Sequence, residues 1–227
     1  TGVQTCALPI YQDGAWWVQD AAAAMPAMLF GQMAGKRVVD LCAAPGGKTA
    51  QLAAAGGRVT AIDRSPRRLQ RLRSNLARLH LEAECITVDA GAWQPPEPVP
   101  FVLLDAPCTA TGAIRRHPDV PHLKTLDDVT RLATVQERLL DSAIRMLAPG
   151  GTLVYCTCSL EPEEGVRQIE RVLASGAPVR RRPVAAAEIG DLRECLTAEG
   201  DLRTLPCHLG EIDGLDGFFA ARLVRTG

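Results

Sequence analysis

An α/β architecture, a mostly parallel sheet with helices on both faces, is what this 227-residue sequence predicts, and three observations carry it. From Lys36 onward, short β-branched runs alternate with longer segments of helical periodicity. The β-branched runs are short enough to be strands buried within a sheet. Hydrophobic residues make up 47% of the chain and aromatics only 4%, which suits an Ala/Leu/Val core for one globular domain.

Five buried strands follow in order: RVVDLC (37–42), RVTAID (58–63), AECITV (83–88), FVLLDA (101–106) and TLVYCT (152–157). Between them, Pro66–Leu79 reads as a helix with Ser65 as N-cap, Pro66 in its first position, and Leu69, Leu72, Leu76 and Leu79 on one face. A longer helix spans Thr125–Leu147 and stops at the turn Ala148-Pro149-Gly150-Gly151. Glu161–Leu173 is amphipathic, GFFAARLV (217–224) reads as a final strand, and Arg180-Arg181-Arg182 as an exposed connection. Repeats and low-complexity linkers are absent.

The first ten residues, TGVQTCALPI, equal one reading frame of a common sequencing-adapter oligonucleotide. They are set aside as an artefact, Cys6 carries no functional weight, and the catalytic domain is taken as residues 11–227 of a protein that continues upstream. No run approaches the roughly 20 apolar residues of a membrane span, and no signal peptide opens the chain. Eight cysteines lack disulfide-framework spacing, so a reducing cytoplasm is expected. A net charge of −1 means that any basic surface for nucleic acid must be local.

In such sheets ligands bind beyond the carboxyl ends of the strands, so the residues there decide the chemistry. The first strand runs into Cys42-Ala43-Ala44-Pro45-Gly46-Gly47-Lys48-Thr49, small residues that let backbone approach a ligand before a helix begins. A P-loop would need glycine where Cys42 stands, and GxGxxG is absent, which excludes the first and weakens a nicotinamide enzyme. Asp63 ends the second strand about 20 residues on, where a carboxylate meets a ribose diol; Asp89 ends the third, facing an adenine. The fourth ends in Asp105-Ala106-Pro107-Cys108-Thr109-Ala110-Thr111-Gly112 and the fifth in Thr157-Cys158-Ser159-Leu160, so each presents a thiol at the active edge. Cys156 reads as a buried strand residue, the strand ending before Cys158. C-x-C without a second ligand pair is a poor zinc pattern, and no metal is expected.

Gly14, Val18-Gln19-Asp20, DLCAAPGGKT, AIDRS, DAPCTATG, RRHPD, APGGTLVYCTCSLEPEE and DGFF together resemble, in order and over nearly the whole chain, the RsmB/Sun family of RNA (cytosine-5) methyltransferases. RRHPD is most similar to the branch acting on small-subunit ribosomal RNA. The resemblance implies a Rossmann-like fold with S-adenosylmethionine bound by residues 42 to 48, Asp63, Asp89 and Asp105. It also implies Cys158 as the nucleophile, Cys108 as the thiol assisting release, and an upstream RNA-binding, NusB-like portion outside this chain; the mechanism expected from this has Cys158 adding to cytosine C6 while Asp105 hydrogen-bonds the base. Arg115, Arg116, His117 and Lys124 follow the fourth-strand motif and are placed to grip phosphates; the arginines of the second helix read as a solvated face. The partner is RNA, the chain a monomer, and no membrane is involved. Competing readings are a cytosine-5 enzyme for tRNA or DNA, the latter making Cys108 essential and Cys158 dispensable, and a non-catalytic ribosome-assembly protein of the same fold.

Overall fold

The computed structural model describes residues 9–227, and its centre is an eight-stranded sheet. The strands are β1 (Arg37–Leu41), β2 (Arg58–Asp63), β3 (Glu84–Thr87), β4 (Val99–Asp105), β5 (Leu147–Thr157), β6 (Val179–Arg181), β7 (Leu202–Thr204) and β8 (Phe218–Arg225). The helices are α1 (Pro9–Gln12), α2 (Ala21–Met28), α3 (Gly47–Ala54), α4 (Pro66–Arg78), α5 (Val120–Leu123), α6 (Leu126–Met146) and α7 (Val166–Ala174). The order is β3-β2-β1-β4-β5-β8-β6, with β7 also on β8. The first five strands are parallel, and β8 runs antiparallel to β5, β6 and β7. This is the predicted architecture, and the parallel arrangement collects the ends of β1, β2, β3, β4 and β5 on one edge. Cys6 and most of the adapter-like segment lie outside the described residues.

Successive side chains of the central strands serve opposite cores, which is why their sequences are apolar throughout. Val39, Leu41, Val102, Leu104, Leu153 and Tyr155 pack with α6 and α7, whereas Val38, Leu103, Val154 and Cys156 pack with α2 and α3. On α4, Ser65 accepts from the Arg68 amide and Leu69, Leu72 and Leu76 are buried, each worth about 2 kcal/mol of apolar burial. Among the described residues no helix is long and apolar enough to cross a membrane.

Three local expectations change. Leu147 leaves the helix and pairs with Val99, so β5 starts before the Pro-Gly-Gly turn, which becomes an irregular excursion between Leu147 and Thr152. The segment from Glu161 is a short 3-10 turn, Pro162–Glu164, separated from α7 by Gly165, where a Cβ would meet the Phe219 ring at 3.1 Å. Arg180–Arg182 is no mere exposed connection: Val179–Arg181 forms β6 on β8, and Arg181 reaches the buried Asp201 at 3.2 Å. A three-residue strand has too few residues to show periodicity, so only its partner reveals it.

Candidate active site

The first loop turns on two backbone conformations. Cys42 (φ 61°) and Gly46 (φ 107°) are both left-handed, and a Cβ on Gly46 would lie 2.8 Å from Leu72 Cγ, so only glycine lets the loop lie on α4. Ala43 and Ala44 are buried, Pro45 is exposed, and Gly47 opens α3. Asp63 holds this loop from β2: its carboxylate accepts from the Ala44 amide at 3.2 Å and the Ser65 amide at 2.9 Å, with Arg68 at 3.5 Å. Arg68 also donates to the Ala44 carbonyl.

A cleft opens beside it, lined by Cys42, Asp63, Asp89, Pro107, Val135 and Leu139, with Arg64, Arg68 and Arg138 at the rim. Apolar walls with carboxylate acceptors at their margins suit a flat base carrying a ribose, and the residues present therefore fit an adenosine-bearing cofactor. Asp89 accepts two hydrogen bonds of 3.0 Å from Arg138 and one from the Gly91 amide, and the Arg138 pairing holds its carboxyl below the usual range. Burial, reinforced by Asp105 and Asp63, pushes the Cys42 thiol up to about 12, so it serves as a wall and not a nucleophile. The larger groove among Arg58, Arg73, Leu76 and Glu84 lies toward the opposite ends of the strands, away from these groups.

Lys48 departs from its expected place. It is not among the cleft residues; its Nζ lies 2.9 Å from Asp105 Oδ2 and 4.8 Å above the Phe218 ring, while Cys156 Sγ approaches Asp105 Oδ1 at 3.5 Å. Burial acts to lower the ammonium's pKa, but Asp105, Cys156 and Asp40 outweigh it and the net shift is upward, so Lys48 stays charged. Asp105 is thus brought to the thiols and Lys48 rather than into the cleft.

The two thiols meet at a sulfur-sulfur distance of 3.5 Å. The contact with Cys108 lowers the Cys158 thiol below its ordinary value, against burial and the Asp105 charge, with Lys48 helping. Cys108 is pushed well above its ordinary value by the same contact, then by burial and by the charges of Cys158 and Glu164. Of the two, Cys158 is therefore the thiol that ionises more readily. β5 ends at Thr157, which frees Cys158 from the strand while Cys156 stays buried within it.

Behind the lysine, Asp40 is wholly buried, bonded to the Thr49 hydroxyl at 2.6 Å, with its other oxygen unpartnered. Desolvation raises its carboxyl to about 7 despite the Thr49 bond, with Asp105 adding to the rise and Lys48 opposing it. A raised folded-state value means that the native protein holds this proton more tightly than the unfolded chain. Its contribution to stability is present below 3.8, the ordinary value, and is lost as pH climbs through about 7. Asp40→Asn is expected to remove this dependence, gaining up to about 4 kcal/mol on the wild type between about pH 4 and about pH 8 in urea unfolding. Parallel pH curves for the two proteins would contradict it.

Arg115 bonds Asp20 at 2.8 Å and Asp216 at 3.4 Å, and Arg116 pairs with Asp216. These two arginines brace their loop against the segments that carry Asp20 and Asp216, while His117 and Lys124 stay exposed and, among the described residues, make no side-chain hydrogen bond. Sequence reasoning missed Glu164, Thr109, Ser159 and Gln136, a buried network beneath the thiols. Glu164 is hard to tell from Glu161 and Glu163 in the sequence, since apart from Ser159 its side-chain partners lie 28 and 55 residues away. Among the described residues no group of three or more His, Cys, Asp or Glu is placed to hold a metal.

Comparison with known proteins places this geometry. The chain is 42% identical over 223 residues to ribosomal RNA small subunit methyltransferase B of Vibrio vulnificus, covering 96% of this chain and 49% of that protein. It is 42% identical over 228 residues to the enzyme of that name from Pseudomonas putida, with the same coverage. It spans about half the length of these relatives. The crystal structure of NSun6 from Pyrococcus horikoshii, solved with SFG, superposes with a TM-score of 0.84 at 26% identity, over 100% of this chain and 57% of that one. A methyltransferase homologue from the same organism gives 0.79 at 29% identity, over 99% and 73%. The model of the 16S rRNA methyltransferase RsmB/F family matches residues 27–224, and the chain belongs to that family.

Proposed function

We propose that this chain is the catalytic part of an enzyme that methylates carbon 5 of a cytosine in 16S ribosomal RNA through a covalent bond between Cys158 and cytosine C6. The observation that carries the reading is the thiol pair at 3.5 Å, in which Cys158 is the more readily ionised and Cys108 the less. The names of the relatives support the RNA class, and SFG, an S-adenosylmethionine analogue, supports the cofactor.

Carbon 5 of cytosine is a weak nucleophile, and thiolate addition at C6 turns the ring into an enamine with electron density at C5. S-adenosylmethionine, the family's cofactor, supplies the electrophilic methyl group when bound in the cleft of Cys42, Asp63 and Asp89. Asp105, held by Lys48, is the acceptor that would take a hydrogen bond from the amino group of the base and orient the ring for attack by Cys158. Once Cys158 sulfur carries carbon, it no longer holds a negative charge against Cys108. The chief influence raising Cys108 then disappears, and the ionised fraction of its thiol rises. The resulting thiolate takes the proton from C5, directly or through water, the electron pair re-forms the C5–C6 double bond, and the C6–S bond breaks. A cytosine can reach these sulfurs only when unstacked from its helix.

The test is methylation of 16S rRNA by the full-length protein, followed by bisulfite sequencing. One cytosine newly resistant to deamination is expected. Methyl incorporation with every cytosine still convertible would overturn the C5 assignment, and labelling of tRNA alone would overturn the substrate.

A further inference from the structure

Glu164 is wholly buried, and its carboxylate is shared between the loops that carry the two thiols. Oε1 accepts from the Thr109 amide at 3.0 Å and from Gln136 Nε2 at 3.1 Å; Oε2 accepts from the Ser159 hydroxyl at 2.6 Å and from the Thr109 hydroxyl. Thr109 follows Cys108 and Ser159 follows Cys158, so one carboxylate grips the residue next to each sulfur. Resting on the two-thiol reading above, we propose that Glu164 is a positioning residue that fixes the separation of Cys108 and Cys158.

Holding the chain in place does not require this side chain. The Glu164 backbone carbonyl already accepts from the Tyr155 hydroxyl at 2.7 Å and from the Thr157 hydroxyl at 3.2 Å, which anchors the 3-10 turn to β5 independently. A buried carboxylate is costly to desolvate, and an apolar residue would close the gap between two loops without that penalty. What the carboxylate adds is direction: four donors converge on two oxygens, and each hydrogen bond specifies a distance and an angle that apolar contact leaves free. Gln136 extends the grip to α6, since its Nε2 also donates to the Pro107 carbonyl at 2.9 Å, just before Cys108. The carboxylate's charge also contributes to the upward displacement of Cys108, so the same group that sets the distance helps keep the proton on that thiol.

Two variants separate geometry from charge: Glu164→Ala removes the grip, and Glu164→Gln keeps the shape but not the charge. Diamide oxidation of the purified protein, with Cys108–Cys158 disulfide quantified by peptide mass spectrometry, needs no RNA and reads the thiol separation itself. Glu164→Ala is expected to slow this disulfide about tenfold and to lower single-turnover methyl transfer about 10²-fold, with cofactor affinity unchanged. Glu164→Gln should fold even if the alanine variant does not. It should shift the pH profile of adduct release to lower pH, because loss of the negative charge lets Cys108 ionise more easily. Wild-type disulfide rates in Glu164→Ala, or in Glu164→Gln an unmoved release profile, would overturn the positioning role. If the wild type forms no RNA adduct, the functional reading falls instead, and the disulfide rates still decide the role of Glu164.

Discussion

Cys158→Ala is expected to abolish methyl transfer and form no protein-RNA adduct, whereas Cys108→Ala transfers the methyl group once and then stays joined to the RNA. Both follow from the order of the two thiols. Cys158 is the more readily ionised of the pair and lies just past the end of β5, so its loss removes the sulfur that attacks in this scheme. Removing a covalent nucleophile costs on the order of 10⁴-fold or more in rate. Cys108 is not needed for attack, and its loss leaves the C5 proton without a nearby base, so the C6–S bond cannot break. Denaturing gels with labelled RNA distinguish the two variants. A stable adduct from Cys158→Ala would instead make Cys108 the nucleophile, as expected for an enzyme built like those acting on DNA cytosine.

Gly112→Ala should disable the site while substituting no reacting group. A Cβ at Gly112 would stand 1.9 Å from the Gly217 carbonyl oxygen and 2.8 Å from the Cys158 carbonyl oxygen, both backbone atoms that no rotamer change can move. The Gly112 amide donates to Cys158 O at 2.9 Å, and the Gly217 amide donates to Gly112 O at 2.8 Å. Three segments, the loops after β4 and β5 and the approach to β8, are therefore laced through one residue without a side chain. Alanine must part them by about 1 Å, and a displacement of that size is expected to cost about 10²-fold in methyl transfer. Overpacking should add about 1–3 kcal/mol of destabilisation in urea titration. Activity within a few fold of wild type would show that the loops accommodate the methyl group elsewhere.

The parts legible in the sequence are those whose signal is local. Buried parallel strands announce themselves by unbroken apolar runs, and the loops after them by Asp, Cys, Pro and Gly at the strand ends, so β1, β2, β4 and most of β5 could be read directly, as could the positions of Cys108 and Cys158 along the chain. Lys48 was legible as part of a loop but not as the partner of Asp105, because nothing near position 48 reports a carboxylate 57 residues away. Arg115 and Arg116 looked like free cations because Asp20 and Asp216 are about 100 residues distant in either direction. β6 and β7, three residues each, are strands because β8 offers hydrogen bonds to them.

That dependence on β8 governs when the site can form during synthesis. The final strand is inserted between β5 and β6, its neighbour Gly217 locks Gly112, Phe218 lies beneath the Lys48 ammonium, and Asp216 gathers both loop arginines. Its Arg222 reaches back 193 residues to the Leu29 carbonyl. As the chain leaves the ribosome from its amino end, the parallel half of the sheet can assemble early, but β5 stays an open edge until β8 emerges. The catalytic edge thus closes later than the parallel half of the sheet, and the two sulfurs receive the surroundings described above only once β8 has been made.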